Sequence, residues 1–385
     1  MFQFINKINC ILSSVQKVRF NNSKDREFSK VVKKRVAQYF EDNNLSRNAN
    51  TAMYIKTVLM LTLYIGSYAL IISGQFSLAF MWFCTFLLGV GMAGVGFCIS
   101  HDAMHGAYSS NKYVNKALGY TFDMMGANSY IWNIMHNIVH HTYTNIEGHD
   151  EDIDVADFIR LSPHAEVKKI HRVQHIVAFL AYSLTSFFWV FVKDYKKFLQ
   201  SNIGAYRNKT HPVSEWIILF VTKGLYYFYM IALPLLLLDI TFLQFVIGFM
   251  TFHLTAGLIL GLVFQLAHVV EGTAYPLPDD EHKMPEHWLI HEMITTNNFG
   301  RSSKPLSWFL GGLNFQIEHH LFPRTCSVHY PEISHIVEET ACEFNIPYNQ
   351  HETFTKALIS HYRMLKNLGD PDYTFPNPSL NRASS

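Results

Sequence analysis

The chain has 385 residues, of which 49% are apolar, 15% aromatic and only 16% charged, with a formal net charge of +1. The charged fraction lies below the ~25% usual for soluble domains, and the even balance of charge argues against a nucleic-acid partner. No G-x-x-x-x-G-K-[ST] or G-x-G-x-x-G sequence occurs, which removes those phosphate-binding fingerprints.

In chain order, the first 20 residues are apolar but broken by Lys7, Asn9, Lys17 and Arg19. Without a clean apolar core and cleavage site they do not read as a secretory signal, and an amphipathic organelle presequence is the minor alternative. Residues 24–35 (KDREFSKVVKKR) form a basic run that should stay cytoplasmic, so residues 1–50 are expected to be a cytosolic segment. Residues 51–100 read as a first transmembrane hairpin. Met53–Ser73 is one span, Gly74 and Gln75 turn, and Phe76 opens an apolar run that continues to Ser100. If helical through His105, that second run covers about 45 Å at 1.5 Å per residue, against a hydrocarbon core of about 30 Å. Its far end, with His101 and His105, should protrude on the cytoplasmic side.

Residues 101–213 are expected to be cytosolic or interfacial. Ala117–Met135 is too polar at Asp123 and Asn128 to span. Ile176–Val192 is near the lower length limit of a span. Were it to cross, the last histidine cluster would lie across the bilayer from the others, so it reads as an interfacial or re-entrant helix. The basic KDYKK that follows, with Arg207 and Lys209, fits the cytoplasmic side. Residues 214–270 form a second hairpin: Trp216–Leu238, interrupted by Lys223 and Pro234, a turn at Asp239 and Ile240, then Thr241–Val270, which carries His268. Residues 271–370 read as a cytosolic helical cap and 371–385 as a disordered tail. The expected fold is an all-α membrane protein: four transmembrane helices in two hairpins under a cytosolic helical cap holding a di-metal site.

The chemistry rests on HDAMH (His101, His105), HNIVHH (His136, His140, His141), QIEHH (Gln316, His319, His320) and His268. Imidazoles four residues apart on a helix share a face. Eight histidines suffice for two metal ions at four nitrogens each. Imidazole suits iron, zinc, copper and nickel alike, but a closed structural zinc site needs four ligands and favours cysteine. The five cysteines, Cys10, Cys84, Cys98, Cys326 and Cys342, lack C-x-x-C spacing and read as thiols in a reducing compartment. His268 could alternatively be a core histidine satisfied by Glu271. Gln316, an amide, is expected to hold a water or orient an imidazole rather than ligate. His149, His164, His171, His175 and His211 lack ligand spacing, and His282, His287 and His291 read as surface residues before supporting ones. The run His149–Asp154 (HDEDID) reads first as a solvated loop, and alternatively as carboxylates that fix imidazole tautomers. Asp102 admits both readings evenly. The Glu-x-x-His pattern of soluble di-iron carboxylate proteins occurs once, at Glu332–His335, outside the helical spans.

These clusters resemble the three histidine boxes of the membrane fatty acid desaturases, H-x(3–4)-H, H-x(2–3)-H-H and [HQ]-x-x-H-H. The surrounding WNIMHNIVHHTYTN, LAHVVEG and NFQIEHHLFP fit as well, and the resemblance runs from about residue 50 to 350. It implies a dioxygen-dependent enzyme that places a cis double bond in a long acyl chain. Two iron ions would be held by His101, His105, His136, His140, His141, His268, His319 and His320. Gln316 stands where many relatives have a ligating histidine. Glutamine there is similar to front-end desaturases, which act between an existing double bond and the carboxyl end. The H-P-G-G motif of a fused haem domain does not occur, and about 50 residues precede the first span, so electrons are expected from a separate ferredoxin or b-type cytochrome. The substrate could be carried on coenzyme A, acyl carrier protein or a glycerolipid. The expected location is the bacterial inner membrane or the endoplasmic reticulum, with the histidines facing the cytoplasm.

An unactivated methylene is beyond side-chain acid–base chemistry, so the metal carries the hard step. Tyr130–Trp132 and Trp308–Phe309 are candidate walls of an acyl tunnel, with interfacial packing as the alternative. Acyl hydroxylation on the same scaffold is the nearest competing reaction, and a histidine-relay metal transporter a distant one, since transporter ligands belong near the bilayer midplane.

Overall fold

The computed structural model describes residues 18–376 except Lys24, Asn208 and Lys209. The presequence alternative, Cys10, the location of Lys209 and most of the expected tail therefore fall outside the described residues. The first part of that tail is docked rather than loose, since the Phe375 ring meets Tyr275 edge-on at 5.3 Å.

Four helices are long and apolar enough to cross a bilayer: Thr51–Ile72, Leu78–Met104, Val213–Leu237 and Phe242–His268. Their starts are set by side-chain caps. Asn50 accepts from the Met53 amide, Ser77 from Phe80, and Thr241 forms a reciprocal box with Gln244. Gly74, at φ +63°, turns the chain between the first two. The second long helix can approach its neighbours because it is glycine-rich. A Cβ on Gly89 would lie 2.7 Å from the Phe252 carbonyl oxygen, and one on Gly91 would lie 2.9 Å from the Tyr64 backbone. Small residues at such contacts are the usual means of close packing in lipid. The second and fourth long helices, at 27 residues each, exceed the bilayer and end at the histidines.

The ambiguous segment is two helices, Lys169–Ser183 and Thr185–Phe198, meeting at 57° rather than running as one straight rod. The second arm is pinned from inside. Lys223, which interrupts the third long helix, donates to the Asp194 carboxylate at 2.7 Å and to the carbonyls of Gly126 and Val190 at 2.6 and 2.8 Å. Both charged side chains are 1% exposed. An interruption in the sequence is thus the tie that fastens the second arm of the bent pair and the loop at Gly126 to the third long helix.

Beyond the long helices, Arg26–Asp42 inserts Phe28, Val32, Val36 and Phe40 into a core with Leu289, Ile290, Ile333 and Val337. Arg35 clamps Glu343 of the helix Tyr330–Glu343 through two 2.8 Å bonds. The third box occupies a short buried helix, Gln316–Leu321. Near it Asn298–Phe299 pairs in parallel with Gln350–His351. The last helix, Phe354–Leu368, packs against the first arm of the bent pair and the fourth long helix.

Removing one partner of a buried ion pair leaves an uncompensated charge, at a cost of about 3–5 kcal/mol. Lys223→Met is therefore expected to lower the thermal unfolding midpoint of the detergent-solubilised protein clearly. Lys223→Met combined with Asp194→Leu should recover most of the loss, which parallel melting curves would show.

Candidate metal centre

The second long helix widens into a π-helix over Gly96–Ser100 immediately before His101, and box two is itself π-helical over Asn133–His140. Such local widening concentrates at functional sites. Here it brings residues five apart together: the Nε2 atoms of His136 and His141 lie 3.1 Å from each other.

All eight expected histidines converge, and the described residues contain two main groups. His101, His105, His136 and His319 place one nitrogen each within 4.8 Å of one another, as do His140, His268 and His320. His141 forms a further group with His319 and His320 and so joins the two. Seven of the eight are buried, and His105 is partly so. His136 and His140, on one face as helical spacing predicts, stack at 5.4 Å and form a fourth group with Asp152, so box two bridges the two main groups. The Gln316 amide nitrogen donates to the Leu313 carbonyl at 2.7 Å.

The donor set fits metal ions. His101 Nδ1, His105 Nε2, His136 Nδ1, His141 Nδ1, His319 Nε2 and His320 Nε2 are buried without a hydrogen-bond partner. Burying so many lone pairs or N–H groups unsatisfied costs about 1–3 kcal/mol each. The remaining two are equally telling. His140 Nδ1 donates to Asp150 at 3.1 Å, and His268 Nδ1 donates to the Thr295 carbonyl at 3.3 Å. Neutral rings so held would turn two lone pairs towards each other, Nε2 to Nε2 at 3.3 Å, a contact that a metal ion between them or a proton on one ring would satisfy. Burial works against a proton on His140, but the charge and hydrogen bond of Asp150, with Asp152 behind it, raise its pKa to about 9. Burial, reinforced by neighbouring imidazoles, holds His105, His136, His141, His319 and His320 well below the usual histidine range, in the neutral form that binds metals.

Several supports were hidden in the sequence. Asp150 is buried, not solvated, and also accepts from the Asn145 amide at 2.9 Å. Asn145, at φ +58°, donates in turn to the His268 carbonyl at 3.1 Å, tying box two to the end of the fourth long helix. His320 Nδ1 donates to Glu292 at 2.7 Å. Burial pushes Glu292 well above the carboxylate range, so its ionised form needs positive charge nearby. Asp102 accepts from the Ser327 amide and hydroxyl at 3.0 and 2.8 Å, which joins box one to the chain after box three. The partner proposed for His268 is Thr295, not Glu271. Of the histidines read as surface residues, His291 is buried and donates to the Thr144 carbonyl at 2.8 Å. His171 and His211 are buried and bond backbone carbonyls. Trp132 stacks on His136 at 4.3 Å, whereas Tyr130 bonds His211 and Trp308 is 42% exposed, so only one of the expected aromatic walls adjoins the centre. A cavity of about 620 Å³ opens beside His105, lined in part by Asn48, Lys112, Lys116, Tyr120 and Arg324. An apolar cavity of about 370 Å³ lies at the turn end of the long helices, away from the histidines.

Residues 76–352 match the sequence profile described as Fatty acid desaturase. The chain belongs to the fatty acid desaturase family. It is 34% identical over 360 residues to the sn-1 linoleoyl-lipid 6-desaturase of Synechocystis sp., covering 92% of this chain and 99% of that protein. It is 35% identical over 361 residues to the enzyme of the same name from Arthrospira platensis, covering 92% and 96%. Similarity extends to the acyl-lipid (8-3)-desaturase of Physcomitrium patens, at 34% over 358 residues, 91% of this chain and 74% of the relative. This fatty acid desaturase is thus an oxidoreductase built as an all-α membrane protein. Its family sets aside the transporter alternative.

In the desaturase, a carboxylate that fixes an imidazole tautomer typically contributes about 10–100-fold in metal affinity. Asp150→Asn is expected to show a loss of that size by metal titration, while the exposed Asp154→Asn should leave affinity unchanged.

Proposed function

We propose that this desaturase holds two iron ions and introduces a cis double bond, with dioxygen as co-substrate, into a long acyl chain esterified in a glycerolipid. The observation that carries the reading is the convergence of eight imidazoles with unmade nitrogen contacts. His101, His105, His136 and His319 would hold one ion and His140, His268 and His320 the other, with His141 between them. Gln316, anchored on Leu313, would hold a water beside the centre rather than ligate. Iron bound there would supply the dioxygen chemistry that breaks an unactivated C–H bond.

The chain's own residues do the rest. Asp150, Glu292 and the Thr295 carbonyl fix the tautomers of His140, His320 and His268. Trp132 shields His136 from water, and each methylene buried in the acyl path stabilises the bound chain by roughly 0.8 kcal/mol. The cavity beside His105 adjoins the starts of the first and third long helices through Asn48 and Glu215, the level at which a lipid headgroup would rest while its chain reaches the histidines.

In this arrangement residues 51–100 and 214–270 form two membrane hairpins, and 101–213 and 271–370 form the interfacial and cytosolic parts. The parity of four crossings and the basic run before the first helix support a cytoplasmic face for the histidines. The relatives named for acyl-lipid substrates support a lipid carrier, and glutamine at Gln316 supports insertion on the carboxyl side of an existing double bond.

Expression in a host lacking polyunsaturated lipids, fed linoleate, is expected to yield acyl chains two mass units lighter. The new double bond should lie towards the carboxyl end. His140→Ala and His319→Ala should reduce product to background and lower iron content. A gain of one oxygen instead would assign the chain to hydroxylation.

A further inference from the structure

One face of the cap carries a cluster of exposed cations, of which Lys30 pairs with Glu27 at 3.7 Å. On Arg26–Asp42 the apolar residues face inward, and Arg26, Lys30, Lys33 and Lys34, spaced by three to four residues, share an exposed face. Arg19, also exposed, lies just upstream, where the chain runs beside His282–Glu286. Asp25 and Glu27 lie among the four helix cations, and Arg19 runs beside Lys283, which is itself bonded to Asp279 and Glu281. The charges of Lys33 and Arg26 reach His287, whose pKa is lowered first by burial and then by them.

The next residue, Trp288, is partly exposed and adjoins His287, which lies within reach of the charges of Lys33 and Arg26. Its ring reaches the centre. Its Nε1 donates to the His141 carbonyl at 3.1 Å, and the indole also reaches the carboxyl of Glu292. Glu292 accepts from His320 at 2.7 Å. A single aromatic side chain therefore links the surface with the groups that carry two of the eight imidazoles.

We propose that the face formed by Arg19, Arg26, Lys30, Lys33 and Lys34 docks a small acidic one-electron carrier, and that Trp288 is the positioning residue through which its electrons enter. The inference rests on the desaturase reading. In that reaction the acyl chain gives up two hydrogens, that is two electrons and two protons. Two reduced carriers, docking in turn, each supply one electron and leave oxidised, and water supplies two more protons. The four electrons and four protons reduce one dioxygen to two waters. A basic face speeds and orients such encounters, with a strong dependence on salt.

The test uses the full chain in nanodiscs of neutral lipid and, as probe, an acidic plant-type [2Fe–2S] ferredoxin titrated by calorimetry. Binding is expected with and without metal in the protein, since the face is preformed. The triple variant Lys30→Glu/Lys33→Glu/Lys34→Glu should weaken Kd by about tenfold or more and flatten its salt dependence. Trp288→Phe, which keeps a ring but loses the bond to His141, and Trp288→Leu should hold Kd while slowing ferredoxin oxidation in stopped flow, the leucine variant more. An unchanged Kd in the triple variant overturns the docking face, and so does an effect of that variant confined to nanodiscs containing anionic lipid. Ferredoxin oxidation at the parental rate in Trp288→Leu overturns the route. Product formed with a chemical reductant, alongside an unchanged Kd, would sink the docking alone. Normal docking with no unsaturated product would sink the desaturase reading instead.

Discussion

A dry interior cannot leave imidazole nitrogens facing one another without something positive between them. Six buried nitrogens lack partners, and the Nε2 atoms of His140 and His268 oppose each other while their far nitrogens are already committed as donors. Burial alone makes this arrangement unfavourable. Metal ions turn the same contacts into ligand bonds, and the remaining architecture can be understood as what holds the rings in place until those ions bind.

The long helices meet that demand by length and by defect. Ordinary spans of about 20 residues would end at the headgroups. The second and fourth, at 27 residues each, carry His101 and His268 beyond that level. The π-helical stretch changes the pitch of box two, so that His136 meets His141 five residues on while still stacking on His140, and the one box reaches both histidine groups. Polar ties within the apolar region keep the bundle from sliding: Lys223 on Asp194, and His253 bonded by Tyr226 and Ser186 at 3.0 Å each. In lipid such groups persist only when paired.

The long apolar helices and the histidine clusters were legible because each leaves a local trace. Long apolar runs broken by Gly74 and Asp239 mark the helices, and histidine spacing marks the clusters. What stayed hidden depends on distant parts of the chain. Asp150 lies in HDEDID, a stretch whose composition looks solvated, and only the approach of His140 and Asn145 shows it to be internal. Glu292 and His291 sit in a short helix whose polar residues resemble a surface, yet every residue of that helix after Trp288 is buried, with His291 and Glu292 bonded to boxes two and three. Lys223 read as a flaw in a span because its partner lies 29 residues upstream. The approach of His136 to His141 was invisible for a related reason, since helical periodicity assumes a pitch that the structure abandons.

The buried acids make the dependence mutual. Asp102, Asp150 and Glu292 are each no more than 2% exposed and lie close to the histidines. Burial opposes charge on Asp150 but the charge and hydrogen bond of His140 hold it below the usual carboxylate range, whereas burial prevails at Glu292, which resists ionisation. Cations at the centre reverse that preference, and the ionised acids then hold His140 and His320 in the tautomers that ligate. The same carboxyls reach into the fold, Asp102 to Ser327, Asp150 to Asn145 and Glu292 to Thr144. Metal ions bound at the histidines would therefore stabilise the loops that orient their own ligands.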